Sequence, residues 1–138
     1  MALHGGRIEA LHIPVEDGVV GNRDLLLEAL DNLVGNAVEH GDPNGVVEIR
    51  VERRGKYHSL LVKDEGGGIA DADREKVFDR FHRGEGSRKR RGEGTGLGLW
   101  IARRIAKRYG GRLQIEDTSP AGTTMRLDLL PGSEGRKP

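Results

Sequence analysis

The strongest hydrophobic periodicity in the chain lies in residues 22–41, where apolar side chains return every three or four positions. This period is that of an α-helix with one buried face. Asn22 is suited to cap the beginning of this helix, and Gly41 to end it. Residues 97–110, with the sequence LGLWIARRIAKRYG, predict a second strong helix. The apolar positions predicted to share one face of the first helix are Leu26, Leu30, Leu33 and Ala37.

Strict alternation of apolar and polar residues predicts strands elsewhere. In residues 46–52, Val47, Ile49 and Val51 alternate with charged residues, which is typical of a half-buried strand. Residues 59–64 follow after a short turn, so we expect the two strands to form a hairpin. Further strands are predicted at 7–16, 112–117 and 123–130, and a short helix at 71–81.

These elements together predict an α/β fold, a two-layer sandwich in which a mixed sheet carries about three helices on one face. The 138 residues are enough for one domain with a core, which we place at residues 1–130, with a frayed tail at 131–138. Residues 82–93 contain five Lys or Arg residues and no apolar side chain. We expect this segment to be a mobile loop inside the domain, and such loops are usually functional or disordered.

Composition narrows the classes of protein. Lys and Arg number 23 against 22 Asp and Glu, so the domain as a whole is not a nucleic-acid binder. The basic run at residues 88–91 could meet nucleic acid or a membrane surface, but a positively charged or solvated loop explains it more simply. The chain has no Cys and no apolar run near the roughly 18 residues of a membrane span, and we do not expect its first ten residues to be a signal peptide. We expect a cytoplasmic chain, either alone or as part of a larger membrane protein.

A glycine run is the first of three candidate sites. Gly94, Gly96 and Gly98 immediately precede the second predicted helix. A glycine-rich loop that opens a helix exposes backbone N–H groups and the positive end of the helix dipole, and both can hold a phosphate. A simple hinge between loop and helix is the alternative.

The second candidate is the sequence DEGGGIA at residues 64–70, which ends a predicted strand. Asp64, Gly66 and Gly68 form the pattern D-x-G-x-G. A carboxylate at this place can accept a hydrogen bond from an exocyclic amine such as that of adenine, while the glycines permit a tight turn under a flat ring. An Asp-containing turn without a ligand is the alternative.

The third candidate is a pair of asparagines, Asn32 and Asn36, in the middle of the first helix. Their spacing of four places both amides on one face, although Asn is unfavourable within a helix. An inward-facing amide oxygen could bind Mg²⁺, which uses few protein ligands together with phosphates and waters. Two exposed polar residues are the alternative.

Four motifs occur in order along the chain: DNLVGNAVEHG, DEGGGIA, VFDRFHRG and GTGLGLWIARRIA. They resemble those of the ATP-binding catalytic domain of sensor histidine kinases, within the superfamily that also contains gyrase, heat-shock chaperones and MutL. The resemblance covers residues 7–130. It implies an α/β sandwich that binds ATP and Mg²⁺ between helices and under a lid at 82–93.

The resemblance also implies roles for single residues. Asn36 matches the Mg²⁺-binding Asn, and Asn32 matches its partner one turn earlier. Asp64 matches the Asp that reads the adenine amine, and Arg83 matches a basic residue that reaches the terminal phosphate. Asn32, Asn36 and Arg83 are thus the implied catalytic residues. The implied nucleotide-binding residues are Asn32, Asn36, His40, Asp64, Gly66, Gly68, Ile69, Phe81, Arg83, Gly94, Thr95, Gly96, Leu97, Gly98, Leu99 and Thr123.

Three further positions bear on the comparison with the family, two that match it and one that does not. Phe78 and Phe81 match the aromatic motif that anchors the lid. Glu39 departs from the pattern, because the family often has a basic residue there that can touch phosphate. His40 could take over part of that role, or Glu39 could turn outward.

One position bears on the reaction. Family members that hydrolyse ATP resemble one another in a Glu, four residues before the Mg²⁺ Asn, that activates water. Here that place holds Asn32, which cannot accept a proton at neutral pH. Phosphoryl transfer to another nucleophile is therefore favoured over hydrolysis. An anti-sigma-factor serine kinase, which would be expected to carry that Glu, and a nucleotide-binding module without chemistry are the alternatives.

The phosphate acceptor is expected outside this chain. None of the five His residues is followed by an acidic residue, the context of a phospho-accepting His in the family. The resemblance therefore implies an isolated catalytic domain, a monomer that acts on a separate dimerisation hairpin of a membrane-bound kinase. The whole protein would pass phosphate to a response regulator.

Overall fold

The structure, a computed structural model, describes residues 7–10, 18–79 and 97–132. Helix α1 covers Arg23–His40 and helix α2 covers Gly98–Arg108. The five strands are β1 (Arg7–Ala10), β2 (Val46–Arg54), β3 (Tyr57–Asp64), β4 (Arg112–Ser119) and β5 (Gly122–Leu129). No helix within the described ranges is both long enough and apolar enough to cross a membrane.

The five strands form one sheet in the order β1-β2-β3-β5-β4. Strand β1 is parallel to β2, and the other three neighbouring pairs are antiparallel. The predicted mixed sheet and the predicted hairpin of β2 and β3 are confirmed. Gly55 adopts a φ of 59° in the turn of this hairpin, a left-handed conformation that glycine adopts without strain.

One face of the sheet packs against both helices to form the hydrophobic core. Alternate residues of β2, β3, β4 and β5 supply the sheet side of this core, as a half-buried sheet requires. On α1, Leu33 and Ala37 are buried as predicted, while Leu26 and Leu30 are partly buried. The buried residues of the core are Ala29, Leu33, Val34, Ala37, Val47, Ile49, Val62, Phe78, Leu99, Ala102, Ile105, Ala106, Leu113, Met125 and Leu127.

Helix α1 begins and ends where its sequence predicts. The side chain of Asn22 accepts a hydrogen bond from the Leu25 N–H at 3.1 Å, which satisfies one free donor of the first turn. At the other end, the Gly41 N–H donates to the Ala37 carbonyl at 2.8 Å. Gly41 has extended backbone, so the chain leaves the helix there.

The prediction of a short helix at 71–81 is wrong for the part that the structure describes. Asp71–Asp73 and Lys76–Phe78 form two separate turns of 3-10 helix. Only Val77 and Phe78 in this stretch pack against the core, too few for the apolar face of a stable helix. The described residues therefore contain two α-helices, both of which were predicted.

The chain ends differ in part from the predictions. Strand β1 ends at Ala10, and residues 11–17 of the predicted first strand lie outside the described residues. Pro131 is buried and bridges to Val19, and the Gly132 N–H donates to the Gly18 carbonyl at 3.0 Å. Residues 131 and 132, assigned by their sequence to the frayed tail, are thus paired. The rest of the tail and the loop 82–93 lie outside the described residues.

The face of the sheet opposite the helices carries an ion network. The Arg54 guanidinium donates to both carboxylate oxygens of Glu116, at 2.7 and 3.0 Å, and Arg126 donates to Glu116 at 2.9 Å. Asp128 accepts from the Ser59 hydroxyl at 2.5 Å and from Arg112 at 2.7 Å. We call the six residues Arg54, Ser59, Arg112, Glu116, Arg126 and Asp128 the outer-face network.

Candidate functional site

Three polar residues follow one another along a single face of α1. Asn32, Asn36 and His40 are spaced four residues apart, so they lie on successive turns. The two asparagines are half-buried and His40 is exposed. The row is about 12 Å long at the rise of an α-helix. It connects the end of the sheet at Asp64 with the beginning of α2.

Asp64 is the buried carboxylate at the sheet end of this row. Its Oδ1 accepts hydrogen bonds from the Gly66 N–H at 2.8 Å and the Thr123 N–H at 3.3 Å. Only 5% of the residue surface is exposed. The two bonds leave Asp64 further acceptor capacity, since a carboxylate has about four lone-pair sites.

The pKa of Asp64 is raised above the ordinary value of 3.8. Burial causes the rise, because the ionised form loses its hydration. The N–H groups of Gly66 and Thr123 and the charge of His40 act in the opposite direction without cancelling it. A carboxylate kept in such surroundings is typical of a binding site and is well suited to accept a hydrogen bond from a ligand.

The glycines after Asp64 are required by contacts with the main chain. A Cβ on Gly66 would lie 2.2 Å from the His40 carbonyl oxygen. Gly68 has a φ of 82°, and a Cβ there would lie 2.3 Å from the Ser119 carbonyl oxygen. The loop therefore passes between the end of α1 and the end of β4 with no room for side chains. This explains the predicted tight turn and brings Asp64 close to α1.

Thr123 of β5, one of the predicted site residues, is the register neighbour of Asp64, and Thr118 of β4, which was not predicted, is the register neighbour of Thr123. The Ile69 N–H donates to Thr118 Oγ1 at 2.9 Å, and the two threonine hydroxyls are 2.8 Å apart. Asp64, Gly66, Ile69 and Thr123 are thereby connected in one hydrogen-bonded group. The local sequence of β4 carries no signal for Thr118, because a shift of register between Ile115 and Asp117 places it opposite Thr123.

The other end of the row on α1 meets the beginning of α2. A Cβ on Gly98, the first residue of α2, would lie 3.5 Å from Asn32 Oδ1. Leu97 precedes it at the N-cap position and makes no capping hydrogen bond with its side chain. The side chain of Leu99 is buried in the core, so any ligand contact of this residue is through its main chain. The structure thus brings Gly98 beside Asn32.

The remaining predicted site residues belong, in the sequence, to the segment predicted as a lid or to its flanks. Phe81, Arg83, Gly94, Thr95 and Gly96 lie outside the described residues. Phe78 is buried in the core, and the guanidinium of Arg103 lies 5.2 Å from the centre of its ring. This contact fixes the segment before the lid against α2.

The ligands for a metal ion at this site would be few. The described parts of the chain contain no group of three or more His, Cys, Asp or Glu residues that could hold a metal ion. The half-buried amide of Asn36 is suited to Mg²⁺, which is commonly bound by one or two protein oxygens together with phosphates and waters. The donor set therefore fits a metal ion that arrives with a phosphate ligand.

Comparison with known proteins gives matches over most of the chain. The profile of histidine kinase-, DNA gyrase B- and HSP90-like ATPases matches residues 21–133. The sensor-like histidine kinase SenX3 of Mycobacterium tuberculosis (strain ATCC 25618 / H37Rv) is 40% identical over 111 residues, which are 80% of this chain and 27% of SenX3. The signal transduction histidine-protein kinase BaeS of Escherichia coli (strain K12) is 33% identical over 117 residues, 85% of this chain and 25% of BaeS. The chain thus spans about a quarter of the length of these relatives.

Solved structures share the fold. The mycobacterial sensor histidine kinase MprB aligns with a TM-score of 0.73 at 27% identity, over 92% of this chain and 86% of that one. The catalytic domain of histidine kinase ThkA aligns with a TM-score of 0.74 at 28% identity, over 96% and 84%. Full-length ShkA in complex with AMPPNP has the same fold, with a TM-score of 0.74 at 22% identity, over 93% of this chain and 26% of that one.

Proposed function

This chain belongs to the family of histidine kinase-, DNA gyrase B- and HSP90-like ATPases, as a catalytic ATP-binding domain of the sensor histidine kinase type. We therefore propose that it binds Mg·ATP along α1 and transfers the γ-phosphoryl group to a histidine of a separate hairpin domain. The domain comprises residues 1–130 together with the paired residues 131 and 132, with 82–93 as its lid.

The observation that carries the proposal is the row of polar residues on α1 that connects two different kinds of binding group. Asp64 offers a buried acceptor at one end, suited to the amine of adenine. Asn32 and Gly98 meet at the other end, where the first amides of α2 can receive phosphate. The row, about 12 Å long at the rise of an α-helix, separates these two groups along α1.

Each group of the proposed site has a distinct task. Asp64 accepts a hydrogen bond from the base, Thr123 lies beside it, and Gly66, Gly68 and Ile69 shape that pocket. Asn36 supplies an amide oxygen to Mg²⁺, and Mg²⁺ when bound neutralises charge on the phosphates. Asn32 faces the beginning of α2, and His40 is at the rim. In the lid, Phe81, Arg83, Gly94, Thr95 and Gly96 would complete the enclosure, with Arg83 reaching the terminal phosphate.

Phosphoryl transfer is favoured over hydrolysis of ATP because residue 32 is an asparagine and not a residue with a carboxylate side chain. An amide cannot take a proton from water at neutral pH, so the site lacks a general base at that position. Phosphoryl transfer then depends on a nucleophile held in line with the γ-phosphate by another domain. In the whole protein that domain is the dimerisation hairpin, the sensor lies in a membrane, the catalytic domain faces the cytoplasm, and a response regulator receives the phosphate.

The test is to incubate the purified chain with γ-labelled ATP and Mg²⁺ and to measure released phosphate and acid-labile protein label. We expect binding with slow hydrolysis and negligible self-labelling, and rapid transfer when an acceptor hairpin is added. Brisk hydrolysis by the chain alone would contradict the proposal and favour an ATPase. Label on a serine of a supplied protein would favour an anti-sigma-factor-type kinase.

A further inference from the structure

On the helix-facing side of the sheet, strands β3, β5 and β4 contribute three consecutive cross-strand rows, and the third row differs from the other two. Leu60, Leu127 and Leu113 are register neighbours in the first row, and Val62, Met125 and Ile115 in the second. The third row is Asp64, Thr123 and Thr118. An apolar sheet face therefore ends in three polar side chains, one from each of three adjacent strands.

A β-bulge places Thr118 in this row. The register of β4 against β5 shifts between Ile115 and Asp117, so that Asp117 pairs with Thr124 on the outer face. Without the extra residue, strict alternation would turn Asp117 toward Thr123 and place a second carboxylate near Asp64. The bulged residue is Glu116, which the outer-face network holds through Arg54 and Arg126.

The hydroxyl of Thr118 has bonds on two sides. It accepts from the Ile69 N–H and shares its second hydrogen bond with the hydroxyl of Thr123. When Thr118 is the donor in that second bond, the N–H and the two hydroxyls form a chain in which each bond polarises the next. The proton of Thr123 is then available to a ligand, beside the acceptor oxygen of Asp64.

We propose that Thr118 is a positioning residue that sets base specificity, because its hydroxyl orients Thr123 as a donor next to the acceptor Asp64. The inference rests on the proposed function, in which Asp64 reads a purine. An acceptor and a donor side by side complement adenine, which offers its amine as donor and ring nitrogen N1 as acceptor. Guanine offers the reverse, a carbonyl and an N1–H.

The experiment compares ATP with 1-deaza-ATP, in which a C–H replaces N1, by calorimetry on the full chain. Thr118→Val removes the hydroxyl at equal volume, and Thr118→Ser keeps it. Thr124→Val is the matched control, since Thr124 is the next residue of β5 but faces outward. We expect Thr118→Val to lower ATP affinity about tenfold, the effect of one lost hydrogen bond, and to reduce the preference for ATP over 1-deaza-ATP. Thr118→Ser and Thr124→Val should stay within about twofold of the original chain.

The outcomes separate this inference from the proposed function. Equal losses for ATP and 1-deaza-ATP, or none, in Thr118→Val would overturn the role of Thr118. If Thr118→Val does not fold, the same affinity ratio for Thr118→Ala decides in the same way. An unchanged chain that fails to bind ATP would overturn the proposed function and this inference together. Normal ATP binding that Asp64→Asn weakens and Thr118→Val does not would overturn the inference alone.

Discussion

Replacement of Asp64 by Asn changes one buried carboxylate into an amide of almost the same shape. The amide oxygen can still accept from the N–H groups of Gly66 and Thr123, at the positions where these bonds are now 2.8 and 3.3 Å long. The other carboxylate oxygen becomes an NH₂ group, which cannot accept from the adenine amine. We expect the variant to lose roughly 1–3 kcal/mol of ATP-binding free energy, the cost of an unsatisfied buried polar group.

The same substitution should have the opposite effect on the stability of the ligand-free domain. Burial raises the pKa of Asp64 above 3.8 in the folded state, so the protonated form is favoured by folding. Its contribution to stability is therefore complete below the ordinary pKa and is lost as the pH rises through the raised one. At pH 7 the ionised carboxylate is a cost, and Asp64→Asn should be at least as stable as the original chain.

Two measurements check this reasoning. Calorimetry gives ATP affinity, and urea unfolding from pH 4 to pH 7 gives the free energy of unfolding without ligand. Asp71→Asn is the matched control, because Asp71 is exposed on a nearby turn and should change neither quantity. Unchanged ATP affinity in Asp64→Asn would refute the base-reading role, and clear destabilisation at pH 7 would refute the electrostatic argument. As the pH is lowered, the ATP affinity of the original chain should begin to fall at a higher pH than it would if Asp64 had the ordinary pKa of 3.8.

Three further substitutions test other parts of the structure. Asn36→Ala should weaken Mg²⁺-dependent ATP binding and abolish transfer to a supplied hairpin while the circular dichroism spectrum stays the same; transfer at the normal rate would disprove the metal-binding role. Gly68→Ala should cost about 2 kcal/mol in urea unfolding, since a Cβ there meets the Ser119 carbonyl at a positive φ, whereas Gly67→Ala, with open space around it, should cost little. Asp128→Ala should cost about 3 kcal/mol by removing a buried carboxylate that accepts from Ser59 and pairs with Arg112, against less than about 1 kcal/mol for Glu48→Ala in an exposed pair; equal costs would show that burial of the carboxylate does not matter here.

The sequence predicts most of this fold because its helices and strands are locally consistent. Helix α1 has its cap, its apolar face and its terminal glycine all in agreement, and its bounds were predicted within a residue. The prediction of one helix at 71–81 is wrong for the segment from Asp71 to Phe78, which contains two turns of 3-10 helix. Its backbone instead follows the contacts of Val77 and Phe78 with the core.

The candidate site likewise contains residues that the local sequence predicts and one that it does not. Asp64, Asn32 and Gly98 could be found from motifs, because each motif is contiguous in sequence. Thr118 could not, since it enters the site only through a shift of register that depends on Glu116 and on two arginines from other strands. A one-residue bulge moves every later side chain to the other face, and the local pattern of β4 does not reveal it.

The polar row Asp64–Thr123–Thr118 lies on the same face of the sheet as two apolar rows that form part of the core. The site therefore cannot stay folded when the core unfolds. A ligand bound there must therefore oppose global unfolding by mass action, with about 2.7 kcal/mol of stabilisation at one hundred times its dissociation constant. The thermal midpoint of the whole domain becomes a measure of site occupancy. By the same linkage, nucleotide depletion would lower the resistance of the entire domain to proteolysis, and not only that of the residues that touch the ligand.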